Sequence, residues 1–136
     1  MSSLTYHNYP KFGDYALEHF AYNQAVRVGD RIELSGQGGW DPNSDPLELA
    51  EDLEGQIDQA FRNIDLALKV AGGKGLSQVY KIVSYHVHLG DDVMLFMKKN
   101  FIEWFPDHKP IWTAVGVERL ALPQMKIEIE AVAYDP

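Results

Sequence analysis

KPIWTAVGVERLALPQMKIEIEAVAY, residues 109–134, decides the fold of this chain. It reads as two strands. Residues 111–117 form a β-branched run, and residues 125–134 alternate Met125, Ile127, Ile129 and Ala131 with Lys126, Glu128 and Glu130. The connection carries Leu120, Leu122 and Pro123, apolar residues that a simple solvent-facing hairpin would not need.

Upstream, residues 79–89 make a longer strand, with Tyr80, Ile82, Ser84, His86 and His88 on one side and Lys81, Val83, Tyr85, Val87 and Leu89 on the other. Both sides are largely apolar or aromatic, so this strand is expected at the centre of a sheet covered on both faces. Between it and the C-terminal strands lies a helix. Asp91 or Asp92 caps its start, its stripe is Val93, Phe96, Met97, Asn100, Phe101 and Trp104, and Pro106 ends it. A second helix is read over 47–70, where Leu49, Leu53, Ile57, Ala60, Phe61, Ile64 and Leu68 recur at helical spacing. Acidic residues crowd its first turns, which suits the positive end of the helix dipole. Gly72-Gly73 stops it. Nearer the N-terminus, residues 22–28 and 31–35 are short strands joined by Gly29-Asp30. GQGGW breaks that pattern, and DPNSDP at 41–46 is loop chemistry.

The order is therefore β-β-α-β-α-β-β, a two-layer α+β domain with a mixed sheet and two helices on one face. A length of 136 residues suits a single domain, 1–136. Apolar residues on both sides of the strands leave one sheet face that another subunit is expected to cover.

Charge and composition limit the partners. A net charge of −8 and a longest basic run of only Lys98-Lys99 argue against nucleic acid as a partner, because phosphate neutralisation supplies most of that affinity. No apolar run approaches the length of a membrane span, so no membrane partner is expected. MSSLTYHNYPKFGDY lacks the basic and apolar regions of a secretory leader, and the chain holds no cysteine. The cytoplasm is the expected compartment.

On residue types alone, several side chains invite chemistry and each has a plainer explanation. Glu128 is an acid–base group, or one of the solvated residues on the polar side of its strand with Lys126 and Glu130. Trp112 stacks on a flat ligand, or fills a core between subunits. His86 and His88 are spaced so that two imidazoles share one metal, yet no third ligand is evident and a structural role is preferred; no metal is expected. No phosphate-binding glycine motif, dinucleotide fingerprint, zinc-protease motif or nucleophile elbow occurs.

Together with AYNQAV at 21–26 and LSGQGGW at 34–40, the C-terminal stretch resembles the Rid family, the reactive intermediate deaminases also called the YjgF family. The resemblance runs from Tyr22 to Ala133. It implies a chorismate-mutase-like fold, a homotrimer, and a small-molecule ligand bound at each subunit interface without a cofactor. It implies that Glu128, in Lys126-Ile-Glu128-Ile-Glu130-Ala, binds the water that attacks an imine carbon. Tyr22, Ser35 and Gly36 match pocket positions of the family. In most active members Pro-Ala-Arg follows, and the arginine grips a substrate carboxylate; here the chain reads Pro110-Ile111-Trp112. The family's common cysteine two positions on is Ala114 here. The implied substrate is a small reactive imine, enamine or related conjugated molecule, changed by hydrolytic deamination or by proton transfer, with ordinary imino acids disfavoured because indole carries no positive charge. Arg31, Lys109, Arg119 and Lys126 are the cations that would have to replace the arginine. The alternatives are a small-molecule-binding trimer without turnover and a chaperone-like trimer, with a ribonuclease ranking last.

Overall fold

The computed structural model of the chain describes residues 3–136; Met1 and Ser2, the start of the segment read as lacking a leader, lie outside them. Alternation of apolar and polar residues builds a mixed sheet from β1 (Thr5–His7), β2 (Ala25–Val28), β3 (Arg31–Leu34), β4 (Gln37–Gly38), β5 (Val79–His86), β6 (Ile111–Gly116) and β7 (Ile127–Tyr134). Strand order is β1-β2-β3-β7-β5-β6, with β4 also paired to β7. β6 runs parallel to β5, and the other pairings are antiparallel. The two C-terminal strands are thus not neighbours, because β5 lies between them. This is why residues 117–126 form a long apolar-bearing crossing rather than a tight turn.

The helices are α1 (Phe12–Phe20), α2 (Leu53–Val70) and α3 (Asp91–Trp104). Ile57, Ala60, Phe61, Ile64, Ala67 and Leu68 of α2 and Val93 and Met97 of α3 join Ile127, Ile129, Ala131 and Ala133 of β7 in one buried core. One sheet face is therefore covered by helices in a two-layer α+β arrangement. The other presents Val26, Val83, Tyr85, Thr113, Val115, Glu128, Glu130 and Val132, half-buried or exposed. No helix among the described residues is long and apolar enough to cross a membrane.

Several sequence expectations need correcting. The helix read from residue 47 begins at Leu53, because Asp52 takes extended backbone and its carboxylate accepts from the Gly55 amide at 3.0 Å. Leu49 instead bridges to Trp40 in the preceding loop. The strand read as 22–28 begins at Ala25, and that read as 79–89 ends at His86. His88 lies beyond the strand and is exposed, so it does not share a face with buried His86. Gly90, not Asp91 or Asp92, caps α3, and no side chain closes that cap. Strand β1, paired to β2, and helix α1 add an N-terminal arm to the two helices and five strands read from the sequence. The Gly29-Asp30 turn stands as read: Gly29 takes a left-handed φ of 59° and Val28 faces Arg31 across it.

Candidate functional site

β3 and β4 are one strand interrupted. Glu33 faces Val132 and Gln37 faces Ile129, so three residues, 34–36, oppose only two, 130–131. This is a bulge with one extra residue, a device that re-aims side chains and bends a strand. It falls at Ser35-Gly36. Glu128 of β7 faces Gly38 in register and sends its side chain back under Gly36. A β-carbon on Gly36 would lie 2.7 Å from both Cγ and Cδ of Glu128 and closer still to Oε1. Only glycine leaves room for the carboxylate there.

Burial pushes the Glu128 carboxyl above its ordinary value, and the charge of Glu130 adds to the rise. Glu130 itself accepts from the Tyr85 hydroxyl at 2.6 Å, a bond that raises the Tyr85 pKa. Tyr85 faces Glu128 directly across β5 and β7. Two carboxylates and a phenol thus share the open sheet face. Ser35 gives its amide to Gln24 O at 2.9 Å and its hydroxyl proton to Asn23 O at 2.6 Å. Its Oγ consequently has only lone pairs to offer a ligand. An open hollow of about 290 Å³ lies beside it, bounded by Tyr6, Asn23, Val26, Glu33 and Ser35 among others.

The structure brings Glu128, Ser35 and Gly36 together. Tyr22 is exposed in the segment before β2, two residues ahead of buried Gln24. Trp112 and Ala114 lie elsewhere. Trp112 pairs with Ile82 and Ala114 with Ser84, so both stand on the helix-facing side of the outer strand β6. Two strand spacings, roughly 10 Å, and the sheet itself separate them from Glu128 within one chain. The Trp112 ring meets Phe101 edge-on at 4.9 Å, and its Nε1 donates to Ser84 Oγ at 2.9 Å. Ser84 Oγ also lies 2.7 Å from His86 Nε2. Burial lowers the His86 pKa to about 4.

Among the described residues, Glu128 forms no ion pair with Arg31, Lys109, Arg119 or Lys126. Lys109 instead donates to the Phe105 carbonyl. No group of three or more His, Cys, Asp or Glu is placed to hold a metal among the described residues. Sequence reading missed the residues behind the bulge, Asn8, Tyr9, Gln24 and Gln37. Tyr9 and Gln37 are wholly buried, and a glutamine amid GQGG was the available signal.

Residues 16–135 match the sequence family described as Endoribonuclease L-PSP. A RutC family protein of Pyrococcus abyssi is 36% identical over 115 residues, covering 83% of this chain and 85% of that protein. The human 2-iminobutanoate/2-iminopropanoate deaminase is 36% identical over 115 residues, covering 82% of this chain and 78% of the human one. Among solved structures, protein YJGH superposes with a TM-score of 0.82 at 27% identity, over 99% of this chain and 98% of the other. Rv2704 of Mycobacterium tuberculosis, a member of the YjgF/YER057c/UK114 family, gives 0.77 at 25% identity, over 97% and 99%. The chain belongs to the Rid/YjgF family.

Proposed function

We propose that this protein is a cofactor-free enzyme of the Rid type that hydrolyses a small imine, enamine or related conjugated molecule. The observation that carries the reading is Glu128, whose half-buried carboxylate is held beneath Gly36 and beside Ser35 on the open sheet face. A carboxyl raised toward neutral suits acid–base work. Glu128 takes a proton from water as the oxygen adds to the imine carbon. That proton passes to nitrogen to give a carbinolamine; the proton of the new hydroxyl then follows it to nitrogen through the same carboxylate, the carbon–nitrogen bond breaks, and ammonia leaves as the carbonyl forms. Ser35 Oγ accepts from the ligand's N–H, the backbone at Gly36 shapes the pocket, and Tyr22 lines its rim.

The working unit in this reading is a homotrimer with a site between each pair of copies. Its support is that Trp112 and Ala114 cannot reach Glu128 within one chain, whereas the exposed edge of β6 and the apolar open face suit another copy. Its compartment is the cytoplasm, as expected of a cysteine-free chain. Nucleic acid and membrane are not partners in it.

Trp112 stands where a carboxylate-gripping arginine is expected, so turnover of ordinary imino acids is expected to be weak. Ammonia release from freshly generated 2-iminopropanoate tests this. Wild type should be slow, Glu128→Gln inactive, and Trp112→Arg faster than wild type. Robust wild-type turnover would remove the restriction on substrates. A folded trimer inert toward every imine and enamine offered would favour binding without turnover. One observation favours a chaperone-like role: Met94, Leu95 and Ile102 stand exposed on the outer surface of α3.

A further inference from the structure

We propose that Asn8, Tyr9 and Gln37 are positioning residues that hold the Ser35-Gly36 bulge over Glu128, which makes the N-terminal arm part of the site. The proposal rests on Glu128 being the site's carboxylate. Asn8 and Tyr9 precede the family match, which begins at residue 16.

Two routes run from the arm to the bulge. In the first, the Tyr9 hydroxyl donates to Gln37 Oε1 at 2.8 Å and accepts from Trp40 Nε1 at 3.1 Å. Gln37 Nε2 then donates to Gln24 Oε1 at 2.8 Å and to the Ser35 carbonyl at 3.1 Å. In the second, Asn8 Oδ1 accepts from the Gln24 amide at 2.9 Å, and Asn8 Nδ2 donates to Asn23 Oδ1 at 2.7 Å. The carbonyls of Asn23 and Gln24 in turn receive the Ser35 hydroxyl and amide. Ser35 is therefore fixed at its hydroxyl, its amide and its carbonyl, and Gly36 follows it.

A phenol, two carboxamides and an indole are costly to bury, and apolar side chains of the same volume would fill the space. What apolar packing does not supply is direction. Here the donors and acceptors point the Ser35 carbonyl inward and so press Gly36 onto Glu128. Burial drives the Tyr9 ionisation far up, so the hydroxyl keeps its proton and donates throughout the physiological range. Gln24 Nε2 is the one side-chain atom of the cluster buried without a partner among the described residues.

The test is a carbon-detected NMR titration of the Glu128 carboxyl in wild type, Tyr9→Phe and Asn8→Ala, with thermal unfolding in parallel. Tyr9→Phe keeps the ring and removes the donor, and half-buried Asn8 offers a second, milder variant should the first fail to fold. The expected result is a Glu128 midpoint that moves down toward the ordinary carboxylate range, together with a shifted Gly36 amide resonance. Lower thermal stability with an unmoved Glu128 midpoint and Gly36 resonance would overturn the proposal, since that is what a purely structural cluster gives. The titration needs no substrate. Failure of ammonia release would count against the catalytic role of Glu128 and leave this coupling standing.

Discussion

The carboxylate of Glu128 lies where the side chain of residue 36 would begin, so the identity of one residue sets the place of the other. A β-carbon at 36 would meet Cγ, Cδ and Oε1 of Glu128 together. The carboxylate could not swing aside at its tip alone; the whole side chain would have to leave.

Gly36→Ala is therefore expected to separate stability from chemistry. The displaced side chain is flexible and half-exposed, so the fold should lose only about 1 kcal/mol in urea denaturation. Any imine hydrolysis should fall by at least about tenfold, as when a general base is moved out of reach. Unchanged turnover in a folded Gly36→Ala protein would detach Glu128 from the reaction.

The raised Glu128 pKa has a definite sign in stability. The folded state holds this proton more tightly than the unfolded chain, so the contribution is present at low pH and is lost as pH rises through the folded midpoint. Above the ordinary carboxylate value of 4.5, wild type should lose stability relative to Glu128→Gln, reading ΔG from urea curves at a series of pH values. Turnover should rise with pH over the same window as the base ionises. Parallel stability profiles for the two proteins would contradict the burial described.

His86 acts in the opposite direction. Its pKa falls from 6.5 to about 4, so the unfolded chain binds the extra proton and stability is lost as pH falls across that interval. The loss should approach roughly 3 kcal/mol, and His86→Gln should flatten it. The Tyr85 and Glu128 face of the sheet plays no part, because His86 points toward the helices with Ser84 and Trp112.

Trp112 is held by its neighbours on the helix side, which sets the cost of changing it. Trp112→Phe keeps a ring against Phe101 and gives up the bond to Ser84, a loss of about 1 kcal/mol. Trp112→Arg brings a charge to a half-buried place and should cost about 2 kcal/mol. Chemical denaturation of both variants decides this, and equal stability of all three proteins would show the Ser84 bond to be incidental.

Strand and helix periodicity made much of this legible in advance. The apolar positions of β7 and α2 lie where their spacing puts them, and β5 is an interior strand flanked by β7 and β6, one in from the sheet edge and covered by helices on one face. Other features were not legible for physical reasons. The period of Leu49 and Leu53 continues through a loop, and only the Asp52 cap marks the real helix start. Which face of the sheet Trp112 joins depends on register with β5, and no spacing within 111–117 encodes that. α1 has nine residues, an internal Gly13 and no capping side chain, so its local signal is faint. The bulge could be seen only as a broken pattern at GQGG. That Glu128 occupies the space became clear only from the pairing of β3, β4 and β7.

The polar cluster behind the bulge has a consequence for where this protein begins as a physical object. The sequence-family match starts at Ala16, seven residues past the phenol that Gln37 and Trp40 both contact. A version trimmed to that boundary would keep every residue of that family match. It would also leave a ring-sized hole lined by an indole N–H and two carboxamides, open to water on the far side of Ser35. The family match and the mechanics thus draw different borders around the same domain, and the mechanical one reaches back to Asn8.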